Sequence, residues 1–188
     1  MNVYVNCPIY QNNKYMLRLV AAEDKTDLLK VYSDKEAVPF FNSDNCHGDD
    51  FYYKTESRME KAIKYWLFEY QRKGFVRWSI LDKEADEIIG TIELFHRDSK
   101  DYFTNCGLLR LDLRSDYEKS KKITEILSLI LEPTFNLFDC DKIATKAIDK
   151  AIDRRKSLKE IGFSLSKENL IGHDGTIYES YFILKKKK

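Results

Sequence analysis

Residues Leu108 to Ile130, LLRLDLRSDYEKSKKITEILSLI, carry a strand, a polar turn and a helix in direct succession. Leu109, Leu111 and Leu113 alternate with Arg110, Asp112 and Arg114, the period-two pattern of a strand with one apolar face. After the turn, Ile123, Ile126, Leu127, Ile130 and Leu131 recur at helical spacing and form one apolar stripe. The spacing predicts a helix that starts near Lys121 to Thr124. Its first backbone N–H groups have no partner inside the helix, and the positive end of its dipole faces the Tyr117 to Lys122 turn. A phosphate is well placed there. Lys119, Lys121 and Lys122 add cations that suit a diphosphate better than a neutral ligand. Taken alone, the same three lysines describe a solvated face equally well.

The chain has 188 residues, 43% of them hydrophobic and 13% aromatic, enough to bury a core and too apolar for a disordered chain. No apolar run approaches the roughly 20 residues that span a bilayer. With 32 basic against 31 acidic residues, no global field favours nucleic acid or anionic lipid, so any cationic function must be local. Cys7, Cys46, Cys106 and Cys140 are spread out, with no CxxC pair and no Cys/His cluster for zinc, so no metal site is expected. Reduced thiols and an amino-terminal MNVYVNCPIYQNNKYM without a signal-peptide pattern suggest a cytoplasmic protein. The terminal Lys185 to Lys188 run reads as a solvated tail.

Around the opening stretch the other elements fall into order. Tyr15 to Val20 is strand-like, and Ala22 to Ser33 reads as a helix. Pro39 and an Asn/Asp/Ser cluster mark Ser33 to His47 as an irregular connection. Thr55-Glu56-Ser57 starts a helix with Met59, Ile63, Trp66, Leu67 and Tyr70 on one face. Phe75 to Leu81 and Ile88 to Phe95 form a hairpin across the charged turn Asp82 to Glu87. After the opening stretch come a strand at Lys142 to Ile148, a helix at Asp149 to Ile161 ended by Gly162, and a strand at Tyr178 to Leu184. With no repeat, linker or composition break, residues 1–188 are expected to form one domain, a mixed α/β sheet with a βαβ unit in its second half.

This order, and several short motifs within it, resembles the GNAT N-acetyltransferase superfamily, in the branch that contains the ribosomal-protein N-terminal acetyltransferases. MLRLVAAEDKTDLLKVYSDKEAV resembles the branch's opening strand and helix, and WSILDKEADEIIGTIEL its central hairpin. SDYEKSKKITEIL occupies the place of the cofactor loop and helix, SLKEIGFSL that of the late helix ending in Gly162 and Phe163, and YESYFIL that of the closing strand. The resemblance implies a mostly antiparallel sheet flanked by helices and splayed at the cofactor strand. It implies acetyl-CoA in that splay, and transfer of acetyl to a primary amine on a protein N-terminus or a small molecule. The cofactor contacts it implies are Leu111, Asp112 and Leu113 on the strand, with Glu118, Lys119, Ser120, Lys121, Lys122 and Ile123 at the turn and helix start. An amine acceptor is the expected partner, with no nucleic acid and no membrane, and a homodimer is left open. The chain also departs from the family pattern. Lys119 and Lys121 stand where the loop carries glycines, Ala151 where the late helix has Asn, and Leu158 where it often has Tyr. These departures keep a second reading open, a GNAT-fold binding or regulatory module that has lost catalysis.

Transfer to an amine needs a route for the ammonium proton, stabilisation of an oxyanion and a proton for the leaving thiolate. Glu93, between Ile92 and Leu94, is the first candidate base, against the simpler expectation of a solvated strand carboxylate. Asp112 shares its face with Arg110 and Arg114, which suggests a surface charge ladder. Tyr178 is the first candidate acid and Tyr181 its neighbour. His96 and Cys106 lack a sequence partner and read as a loop histidine and an inert thiol. Direct attack by the amine, with water carrying protons, needs none of them. The exposed aromatics Phe40, Phe41, Tyr52 and Tyr53 are expected either to line an acceptor pocket or to join the core.

Overall fold

The computed structural model describes residues 2–187. Its strands are β1 (Tyr10–Gln11), β2 (Tyr15–Leu19), β3 (Val76–Asp82), β4 (Glu87–Arg97), β5 (Cys106–Leu113), β6 (Lys142–Lys146), β7 (Ser164–Leu165), β8 (Leu170–Ile171), β9 (Ile177–Tyr178) and β10 (Tyr181–Lys185). The α-helices are α1 (Lys25–Tyr32), α2 (Glu56–Gln71), α3 (Ser120–Leu127), α4 (Leu131–Leu137) and α5 (Ile152–Glu160). Eight strands form one sheet in the order β1-β2-β3-β4-β5-β6-β10-β7, and β8 and β9 make a separate small hairpin. Every pairing in the large sheet is antiparallel except β5 with β6. A parallel pair needs a crossover, and α3 and α4 supply it.

Strand alternation sorts the central side chains by face. Val76, Trp78 and Ile80 on β3, Ile92 and Leu94 on β4, and Leu109, Leu111 and Leu113 on β5 meet Ile123, Ile126, Phe135 and Leu158 from α3, α4 and α5 in one apolar core. The opposite face of the same strands carries Arg77, Ser79, Thr91, Glu93, Arg110 and Asp112, and all six are buried. The helices α1 and α2 roof this face with Tyr32, Met59, Ile63 and Trp66, joined by Phe41, Phe51 and Tyr53 from the connection. Phe41 is therefore a core residue, and Tyr53 both joins the core and borders a cavity beneath α2. The surface ladder expected at Arg110, Asp112 and Arg114 is corrected by this roof. Only Arg114, at the strand end, is partly exposed, because alternation specifies a face and not what covers it.

Most boundaries fall where the sequence places them. Thr55 caps α2, its side chain accepting from the Arg58 N–H at 3.2 Å. Gly162 has φ +100°, the left-handed cap that ends α5. Two elements break. The helix expected to run on through Ile130 stops at Leu127 and restarts at Leu131, which puts Pro133 in a first turn, where its missing N–H costs nothing. The closing strand starts at Tyr181, because Ser180 adopts φ +67° and turns Ile177 and Tyr178 away to pair with β8. Of the terminal lysine run, Lys188 lies outside the described residues.

Candidate active site

The parallel pairing of β5 with β6 ends at Leu109 opposite Thr145, while β5 runs on to Leu113. Beyond that point β5 presents a main-chain edge with no strand beside it, which is the splay. Arg114 donates its N–H to Ile89 on the β4 side. By alternation, the main-chain groups of Leu111 and Leu113 then face the splay. An extended ligand bearing amides can pair with such an edge as an added strand.

At the end of this edge a short 3-10 turn, Ser115–Tyr117, leads into α3. The Lys119 N–H donates to Tyr117 O, the Ser120 N–H to Asp153 Oδ1 at 3.1 Å, and the Ile123 N–H to Lys119 O. Among the described residues, the N–H groups of Lys121 and Lys122 have no acceptor. Lys119 has φ −124°, so this loop uses no left-handed residue and lysine is tolerated where glycine was expected. Lys119 and Lys121 point to solvent, and Lys122 lies 3.8 Å over the Tyr117 ring. None of the three blocks the splay.

What lies across the splay is Arg154, from the first turn of α5. It is 2% exposed. Its Nε and Nη2 make a two-pronged pair with Glu118 at 2.7 and 2.9 Å, and its Nη1 donates to the carbonyls of Leu111 and Phe40, both at 2.9 Å. Glu118, expected as a cofactor contact, is thus turned inward as the partner of an arginine that sequence reading did not single out. No periodicity marks Arg154, since it sits in a polar run, AIDRRKSLKE, whose other charges are largely at the surface. Ala151 and Leu158, at the family's Asn and Tyr positions, are buried and offer no polar group.

Across β5 from the splay lies a cavity of about 540 Å³. Its aromatic wall includes Tyr53, Trp66, Phe75 and Phe95, and its floor holds Glu93 and Arg110. Glu93 is 1% exposed, which corrects the solvated carboxylate expected for it. One oxygen accepts from Arg77 Nη2 and the other from Arg110 Nη1 at 2.6 Å. Burial alone raises the Glu93 carboxyl, but the two guanidiniums outweigh it and hold it below the ordinary carboxylate value. A carboxylate so held is a weak base. Beside it, Asp112 accepts from Tyr32 at 2.7 Å and Arg77 at 3.1 Å, with its second oxygen unpartnered, and burial raises its pKa. Asp112 therefore faces the α1/α2 roof, away from the cofactor edge.

The other candidates divide. Tyr178 is half-buried, and its hydroxyl accepts from the Asn45 N–H at 3.2 Å, away from the cavity floor. Tyr181 is buried beside the splay and donates to Asp44 at 3.0 Å, and burial pushes its phenol well up. Asp44 also takes Lys146 at 2.7 Å, and its carbonyl takes Arg110 at 2.8 Å, so the connection is fastened to β5, β6 and β10 at one residue. His96 donates Nδ1–H to the Phe138 carbonyl at 2.6 Å. Cys106 is fully buried, and burial pushes its thiol up to about 12, as expected of an inert thiol. Among the described residues no group of three or more His, Cys, Asp or Glu side chains could hold a metal ion.

The family model of the GNAT acetyltransferase domain matches residues 14–164. The chain belongs to this family. The family's reaction is transfer of an acetyl group from acetyl-CoA to an amine. Solved structures with the same fold include the ribosomal-protein-S5-alanine acetyltransferase of Vibrio fischeri, at TM-score 0.69 and 15% identity over 95% of this chain and 96% of that one. The L7/L12 α-N-protein acetyltransferase RimL, in complex with coenzyme A, matches at TM-score 0.68 and 10% identity over 94% and 96%. The microcin C7 self-immunity acetyltransferase MccE, in complex with acetyl-CoA and AMP, matches at TM-score 0.67 and 12% identity over 93% and 94%. Among curated proteins none matches the sequence. Among the described residues no helix is long and apolar enough to cross a membrane.

Proposed function

We propose that acetyl-CoA binds along the splayed edge of β5, with its pyrophosphate at the free N–H groups of Lys121 and Lys122, and that the acceptor amine enters from the cavity on the other side of that strand. The carrying observation is that β5 continues past its last pairing with β6 from Arg110 to Leu113 and leads through one short 3-10 turn into the start of α3. The bound cofactor supplies an activated thioester. The chain's residues do the rest. The main chain of Leu111 and Leu113 orients the pantetheine by strand-like pairing, once Arg154 has released the Leu111 carbonyl. Lys121 and Lys122 add charge to the dipole of α3 at the diphosphate. Leu108 and Arg110 belong both to β5 and to the cavity lining, so an amine held in the cavity approaches the thioester across this strand.

In this reading Glu93 anchors Arg77 and Arg110 and fixes the cavity floor, while the amine loses its proton to water before attack. The acceptor is a primary amine on a peptide N-terminus or a small molecule, a size range that a half-open cavity of about 540 Å³ accommodates. A cytoplasmic location suits the four free cysteines. Calorimetric titration with acetyl-CoA, followed by release of free thiol in the presence of amines, tests the reading. Absence of binding at millimolar cofactor overturns it. One observation favours the second reading, a fold retained without transfer: the Arg154–Glu118 pair lies where the pantetheine would. Cofactor binding without thiol release for any amine is the outcome that supports it.

A further inference from the structure

Arg154 makes the contact that a pantetheine amide makes in the proposed complex. Its Nη1 gives an N–H to the Leu111 carbonyl at 2.9 Å, on the part of β5 that β6 leaves unpaired. The same guanidinium is held from the opposite direction by both oxygens of Glu118, which is 7% exposed. The two helices bordering the groove are fastened by polar contacts alongside. Asp153 takes the Ser120 N–H, Glu160 takes the Ser120 hydroxyl at 3.3 Å, and the Thr124 and Ser157 hydroxyls lie 2.9 Å apart. A carboxylate thus sits at an N–H of the helix start proposed for the diphosphate. These contacts all join α5 or its first turn to β5, α3 and the turn between them, so they open together if α5 shifts.

We propose that Arg154 and Glu118 form a latch across the acetyl-CoA groove, and that the latch sets the protein's affinity for the cofactor. In the latched state Arg154 holds the Leu111 carbonyl, and the cofactor binds only the state in which it has let go. Apparent affinity is then the intrinsic affinity multiplied by the fraction of molecules unlatched. The proposal rests on the reading that this groove takes acetyl-CoA.

The test is calorimetric titration of the whole chain with coenzyme A, which needs no turnover, together with stopped-flow binding. Glu118→Gln weakens the pair while leaving a hydrogen-bond partner for Arg154. If nine molecules in ten are latched, the variant gains about tenfold in affinity. The wild-type binding rate levels off at high coenzyme A, where unlatching becomes limiting, and that of the variant keeps rising. The double variant Glu118→Gln/Arg154→Met removes both buried charges together. It serves if Glu118→Gln does not fold, and it binds at least as tightly as the single variant. Thermal melts confirm that each protein is folded. Unchanged or weaker affinity in folded variants of a binding-competent wild type overturns the latch alone and leaves Arg154 as a cofactor contact or a structural residue. If neither wild type nor variants bind millimolar coenzyme A, the cofactor reading itself fails, and the latch with it.

Discussion

Replacing Glu93 by Ala removes the only carboxylate among the described residues that touches both Arg77 and Arg110. Arg77 is 1% and Arg110 8% exposed, and Asp112 is the other carboxylate in reach of Arg77. The buried set of two guanidiniums and two carboxylates becomes two against one, with Arg110 stripped of its ionic partner. Breaking a buried pair in this way costs roughly 3–5 kcal/mol, because the uncompensated charge has lost its water. For a chain of 188 residues, each kcal/mol moves the melting temperature by about 2–4 °C, so a fall of roughly 6–20 °C is expected. Urea denaturation followed by far-ultraviolet circular dichroism at pH 7 reads the change. The double variant Glu93→Leu/Arg110→Met leaves Arg77 with Asp112, a balanced pair, and should lose much less than the sum of the single changes. A loss under about 1 kcal/mol for Glu93→Ala, or additive losses in the double variant, refutes the view that this cluster is held by mutual neutralisation.

Three other outcomes follow from the same structure. Gly90→Ala places a Cβ 2.2 Å from the Asp112 carbonyl, forcing β4 and β5 apart; a loss of about 3 kcal/mol or more is expected in urea melts, and a loss below about 1 kcal/mol shows that the strands yield freely. Burial alone raises Asp101, but hydrogen bonds from Arg97, Ser99 and the Ile171 N–H outweigh it and hold it below its ordinary value. Its stabilisation is therefore complete above the unfolded value of about 4 and lost as pH falls through the folded value, so Asp101→Asn should flatten the acid limb of stability against pH. Asp112, raised by burial, contributes with the opposite sign over the interval between its unfolded and folded values. Burial pushes Cys46, at the cavity wall, up to about 11, so its alkylation by iodoacetamide at pH 8 should be far slower than that of a free thiol; rapid loss of this thiol contradicts the placement.

The fold was legible because its signals are local. The hairpin around Asp82 to Glu87, the cap at Thr55, the glycine after α5 and the alternation in β5 each follow from a few neighbouring residues. The helix of the opening stretch starts at Ser120, one residue before the expected range of Lys121 to Thr124. The polar underside of the sheet was not legible, since Arg77, Glu93, Arg110 and Asp112 look like surface residues until the aromatic roof of α1, α2 and the connection is placed over them. Arg154 was hidden for the same reason. A burial that depends on residues 36 and 43 positions away in sequence, Glu118 and Leu111, leaves no periodic trace. Lys119 and Lys121 keep negative φ and lie at the surface, whereas the side chain that reaches across the splay is Arg154, on a helix the sequence placed without singling out this residue.

Amide hydrogen exchange of the whole chain with and without coenzyme A asks most directly where the cofactor lies. Slowed exchange at Leu111, Leu113, Lys121 and Lys122 is expected, with altered exchange at Ser120 as Asp153 releases it. Protection confined to the cavity between α2 and β4, or no protection at saturating coenzyme A, contradicts the placement of acetyl-CoA in the splay of β5.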